Sequence, residues 1–139
     1  MVRSLFAIVT GFILIAVLTL GTDFALRIAI PSLYDVNGAT QSAPVLLLMM
    51  AYIAMYAVGG CYVCARLAPS RPLLHACLLG VLGLVATIYA SWYSRELRPG
   101  WFHIVSVCLV MVYAVIGGQL RVMEVAKRSS RSFTSPRTA

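Results

Sequence analysis

Residues 44–65 read PVLLLMMAYIAMYAVGGCYVCA, a run without one Asp, Glu, Lys or Arg, closed by Arg66. An α-helix rises about 1.5 Å per residue, so the ~30 Å of hydrocarbon in a bilayer takes about 20 apolar residues. This run has that length and composition, which makes it a membrane-crossing helix. Its borders agree. Ser42-Ala43-Pro44 supplies a cap-like serine and a proline suited to a first helical turn, and Leu67-Ala68-Pro69-Ser70-Arg71-Pro72 has the make-up of a tight turn between antiparallel helices.

Working outward, three more apolar blocks match the same template, giving spans at about 5–22, 44–65, 73–93 and 101–120. The first could be read as a signal peptide, but its apolar stretch is long for one and Leu18-Thr19-Leu20-Gly21-Thr22 offers no convincing cleavage site, so an uncleaved span is expected. Helix can continue through Thr22-Asp23-Phe24-Ala25-Leu26-Arg27 until Pro31, which disfavours helix at the residue before it. The segment from Pro31 to Ala43 is the longest polar connection, and its Asn37-Gly38 marks a tight turn. Ser94 to Gly100 is another short polar connection.

Of the 139 residues, 61% are hydrophobic and 11% charged, and the mean hydropathy is +0.92. Soluble domains carry about a quarter of their residues as charges, so a soluble globular enzyme is excluded. Four spans use up residues 1–121 and leave only 122–139, a basic tail expected to be cytoplasmic and to lose order over about its last dozen residues. The expected fold is an all-α membrane four-helix bundle. With an inside N-terminus, eight of the eleven Lys and Arg residues fall inside and three (Arg27, Arg95 and Arg98) outside; positive charge collects on the cytoplasmic side, so both termini are expected there. Tyr56-Ala57-Val58-Gly59-Gly60 resembles Tyr113-Ala114-Val115-Ile116-Gly117-Gly118 with one insertion, as two related helical hairpins would.

In lipid, helices gain little from apolar burial against one another, and close approach depends on small residues. Ala7 and Gly11, Gly60 and Cys64, Ala76 and Gly80, and Ala114 and Gly118 are small pairs four apart, all in the half of the bundle nearer the termini. Ala86 and Ala90 lie in the other half, where Tyr89, Trp92, Tyr93, Trp101 and Phe102 gather at interface level. A bundle tighter inside than outside is expected, although membrane composition alone gives the same counts.

Ion-coupled transporters generally need an ionisable group at membrane depth, and no carboxylate, lysine or arginine lies within the four spans. This argues against a small multidrug antiporter. The best polar candidate for function is Asp23 with Arg27, one helical turn apart at the outer mouth; the competing reading is an interfacial helix end held by an ion pair. Cys61-x-x-Cys64, with Cys77, Cys108 and the nearby His75, resembles a metal or redox set only weakly, because the pair sits in an apolar helix beside a reducing compartment. Packing roles are favoured, and neither metal nor cofactor is implied. His75 and His103 fall at opposite interfaces, which leaves no hydrolase arrangement. The tail lacks the interleaved aromatics of a nucleic-acid binder and points instead to anionic lipid headgroups.

Thr22-Asp23-Phe24-Ala25-Leu26-Arg27, then Gly59-Gly60-Cys61-Tyr62-Val63-Cys64-Ala65-Arg66-Leu67-Ala68-Pro69 with Arg71-Pro72-Leu73-Leu74-His75-Ala76, and Gly117-Gly118-Gln119-Leu120-Arg121 resemble a group of small bacterial four-span membrane proteins of unassigned function. The resemblance implies a multi-pass protein of the bacterial inner membrane and no activity. The leading expectation is a non-catalytic protein acting through lateral contacts with itself or a larger membrane partner; the alternative is a small transporter or channel with an outward-widening cavity.

Overall fold

Helix α1 (Val2–Ala29) stops where the expected breaker acts: Pro31 keeps Ile30 out of helical geometry, and a single 3-10 turn (Pro31–Leu33) follows. A computed structural model describes residues 2–134. Next comes the tight turn that Asn37-Gly38 predicts. Gly38 has φ +78°, and the Asp35 carboxylate accepts the amides of Asn37 at 2.8 Å and Ala39 at 2.7 Å, the local bonding that favours Asp at such turns. Helix α2 (Ala43–Leu67) starts with Ser42 at the cap position, but the serine hydroxyl makes no cap bond; its backbone carbonyl accepts the amide of Leu46 at 3.0 Å.

Helix α3 (Pro72–Tyr93) is preceded by Arg71 in the left-handed region, φ 46° and ψ 65°. Helix α4 (Gly100–Thr134) runs well past Leu120, where the fourth span was expected to end. The reason is local: Val122, Met123, Val125 and Ala126 allow helix, and Glu124 pairs with Arg121 and Arg128 one turn to either side. Helix therefore persists to Thr134 in the tail expected to lose order, and residues 135–139 lie outside the described residues.

The protein is an all-α bundle of four helices, and each of the four is long and apolar enough to cross a membrane. Sequential helices are antiparallel, and α2 packs against all three others. Helices α2 and α4 run parallel, with Gly117 against Val58 and Cys61 and the Tyr62 hydroxyl on Glu124. The start of α1, the α2–α3 turn and the end of α4 thus share one end of the bundle, here the terminal end. The α1–α2 and α3–α4 connections share the other, the loop end.

Two apolar clusters fill the interior. The terminal one contains Ala7, Cys61, Cys64, Ala65, Ala76, Leu79 and Ala114. The loop one contains Val45, Leu46, Met49, Tyr52 and Phe102, with Leu26 and Tyr34 packed on it. By burial, the taper expected from the small residues holds for α1, which buries only Ala7 and Gly11, and for α3, which buries nothing beyond Gly80 and leaves Ala90 exposed. Helices α2 and α4 stay packed to the loop end, because Leu46, Met49 and Phe102 fill the space that small residues fill at the other.

Candidate functional site

Asp23 does not pair with Arg27. On α1 the two share a face only approximately: Asp23 turns inward to α2, whereas Arg27 lies under the α1–α2 loop. There its guanidinium stacks over Tyr34 at 5.9 Å and sits beside Gly38, where an added Cβ would approach Nη1 to 2.7 Å. Asp23 instead takes two donors from other elements. The Tyr52 hydroxyl of α2 donates to Oδ1, and Nη2 of Arg98, from the α3–α4 connection, lies 3.2 Å from Oδ2. Both side chains of the ion pair are only 18% exposed. Arg98 also stacks over Phe102 at 5.3 Å.

Around this carboxylate the loop end is a polar layer on an apolar base. Oγ1 of Thr22 and the hydroxyl of Tyr56 share a hydrogen bond of 3.0 Å, and the Tyr52 and Tyr56 rings lie 5.8 Å apart. Buried Thr40 donates its amide to the carbonyl of Leu97 at 3.0 Å, which joins the two loops directly. The hydroxyl of Tyr34 and Nε2 of His103 are buried without a hydrogen-bond partner. Burial first, and then the Asp23 carboxylate, raise the Tyr34 phenol above its ordinary range against an opposing pull from Arg27 and Arg98. Tyr34 therefore stays a neutral hydroxyl. With each carboxylate oxygen taken by a donor, the cluster ties α1, α2 and the α3–α4 connection together.

The sequence offered no sign of Tyr52 or Arg98 as partners, which lie 29 and 75 residues from Asp23. Antiparallel pairing of α1 and α2 places Tyr52 at roughly the right height. That Arg98 reaches in while Arg27 turns away depends on the loop path.

A second polar cluster occupies the terminal end. Oε2 of Glu124 accepts from the Tyr62 hydroxyl at 2.7 Å and from Arg121 Nη1 at 2.8 Å, and Arg128 Nη2 lies 2.5 Å from Oε1. The eight small residues are all buried. A Cβ at Gly11 would meet Leu79 at 2.7 Å and Cys64 at 3.0 Å, one at Gly80 would meet Ala114 at 2.5 Å, and one at Gly118 would meet Leu73 at 2.8 Å and Ala76 at 2.9 Å. Gly117 was not singled out, yet it stands closest to backbone, 2.6 Å from the Val58 carbonyl oxygen.

Cys61 and Cys64 are buried free thiols. Sγ of Cys64 donates to the carbonyl of His75 at 3.5 Å, while the His75 ring bonds through Nδ1 to the carbonyl of Arg71 at 3.2 Å. The imidazole is thus directed to the turn, as a structural histidine would be, and away from the thiols. His103 packs edge-on against Phe102, ring centres 6.0 Å apart. No protein-family model matches this chain, and neither a curated protein nor a solved structure is significantly similar to it.

Proposed function

We propose that this chain is a small, non-catalytic protein of a bacterial inner membrane that acts by lateral association, with a second copy or with a larger membrane protein. The observation that carries this reading is the outward row of α2. Leu48, Ala51 and Met55 are exposed at helical spacing, and Gly59, next in the row, has open space where a Cβ would stand. A helix that packs against all three others thus keeps an apolar row with a glycine at membrane depth. Small residues let a second backbone come close in lipid, and methionine adapts to varied surfaces. The carboxylates of Asp23 and Glu124 support a structural role, since internal donors occupy their oxygens. A transporter that widens outward would need an open loop end, whereas Val45, Leu46, Met49, Tyr52 and Phe102 fill it.

Gly59→Leu tests this. Because its side chain enters open space, the fold should keep its thermal stability. Self-association or co-purification of a partner in mild detergent should weaken about tenfold, the equivalent of ~1.4 kcal/mol. An unchanged set of complexes in the variant would refute the reading.

The bacterial origin rests on the resemblance of the runs quoted above, and the cytoplasmic placing of both termini on the basic residues at the terminal end. That end also attracts anionic headgroups, each basic residue contributing ~1 kcal/mol near such a surface. Reporter domains fused at Asn37 and at the C-terminus should then report opposite sides of the membrane; the same side for both would overturn the orientation.

A further inference from the structure

We propose that the terminal end holds a discrete seat for one anionic phospholipid, in the angle between the start of α3 and the extension of α4. A hollow of about 440 Å³ lies there, lined by Arg71, Pro72, Leu73, Leu74, Cys77 and Val122. It opens where α3 enters its apolar stretch at Pro72 and runs inward by more than a turn, to Cys77. The wall on the α4 side is Val122, one turn beyond Gly118, where α4 and α3 still touch. Apart from Arg71, every lining side chain is apolar, which suits an acyl chain.

The charge at the rim selects the headgroup. Arg121 and Arg128 both pair with Glu124. Arg71, at the mouth of the hollow, and Arg66, five residues before it, form no ion pair among the described residues. The backbone of Arg71 is held in place: its carbonyl accepts the amides of Leu74 at 3.1 Å and His75 at 3.4 Å and bonds the His75 ring at 3.2 Å. An arginine without an ion-pair partner thus sits on a fixed backbone at the edge of an apolar slot at the span boundary. A phosphate diester with a neutral or anionic headgroup answers that charge. A choline headgroup would set its own cation against Arg71.

The seat rests on the reading of the terminal end as the end that attracts anionic lipid, and native mass spectrometry of the full chain separates the two. The lipids are dioleoyl phosphatidylglycerol and dioleoyl phosphatidylcholine, added to the protein in the same mild detergent. The wild type should hold its first phosphatidylglycerol about fivefold more tightly than phosphatidylcholine, the ratio that ~1 kcal/mol from one basic residue gives. Arg71→Asn should remove that preference, and asparagine tolerates the left-handed backbone there. Arg71→Lys should retain it. Cys77→Phe, which fills the hollow, should lower the occupancy of the first lipid of either kind. If Arg71→Asn keeps the wild-type preference, the seat is wrong while the attraction of the basic end stands. If the wild type itself shows no preference, both fail.

Discussion

Gly117→Ala will destabilise the folded bundle by about 2–4 kcal/mol, at or beyond the usual cost of overpacking a well-packed site. The added methyl would stand 2.6 Å from the carbonyl oxygen of Val58, 2.7 Å from Cβ of Cys61 and 3.0 Å from the amide nitrogen of Tyr62. None of these can rotate aside, since two are backbone atoms and the third is fixed to the backbone. Relief requires α4 to move away from α2, and that movement strains the Tyr62–Glu124 bond at the end of the same interface. Gly59→Ala provides the contrast, because its methyl meets nothing within 4 Å and alanine is favoured over glycine in a helix interior by ~1 kcal/mol. Thermal unfolding of both variants in one detergent decides the matter. Equal midpoints would show that α2 and α4 do not touch at Gly117.

Asp23→Ala should cost about 2–4 kcal/mol, somewhat below the ~3–5 kcal/mol of breaking a fully buried ion pair, because both partners keep some access to water. The loss comes mainly from what remains: the Arg98 guanidinium, 18% exposed and without its counter-charge, and the Tyr52 hydroxyl without its acceptor. Arg98→Gln with Asp23→Asn should therefore cost less than the two single changes added together, since the double variant leaves no unpaired charge. A coupling of at least ~1 kcal/mol between them, from unfolding midpoints and slopes, is the expected outcome. Strict additivity would mean that the pair contributes nothing to closing the loop end. Arg27→Gln serves as the control, because it removes the charge that the sequence places one turn from Asp23 and the fold turns elsewhere.

Four elements, their order and most of their borders could be read from the residues. The spans follow from uninterrupted apolar length, since a bilayer requires every backbone polar group to be satisfied within a helix. The ends follow from Pro31, Pro72 and the Asn37-Gly38 turn, whose effects act within a few residues. The apolar span stops at Leu120 while the α4 helix does not: the Arg121, Glu124 and Arg128 pairs sustain it in a polar stretch. The hydrophobic signal reports where a helix leaves lipid, not where it ceases to be a helix.

The small residues show how far local reading reaches. Their spacing in each helix marks the inward side, and all eight candidates are buried. Yet Gly59 and Gly117, which the weak repeat places in equivalent tracts, meet opposite surroundings: open space for the first and the α2 backbone for the second. Which glycine faces a neighbour depends on how the helices are rotated against one another, and that angle is set by all the contacts together.

By itself, then, the sequence determined that this protein crosses the membrane as four helices, where the chain turns, and which side of each helix is narrow enough to pack. These are properties of single segments, governed by backbone hydrogen bonding, side-chain size and transfer from water to lipid. Only the tertiary structure decided that Asp23 belongs with Tyr52 and Arg98, that α2 and α4 pack side by side at Gly117, and that α3 draws away towards the loops. Each of those depends on the mutual register of segments far apart in the chain, and in lipid, where apolar contact alone hardly favours one register over another, close backbone packing and a few polar bonds select it.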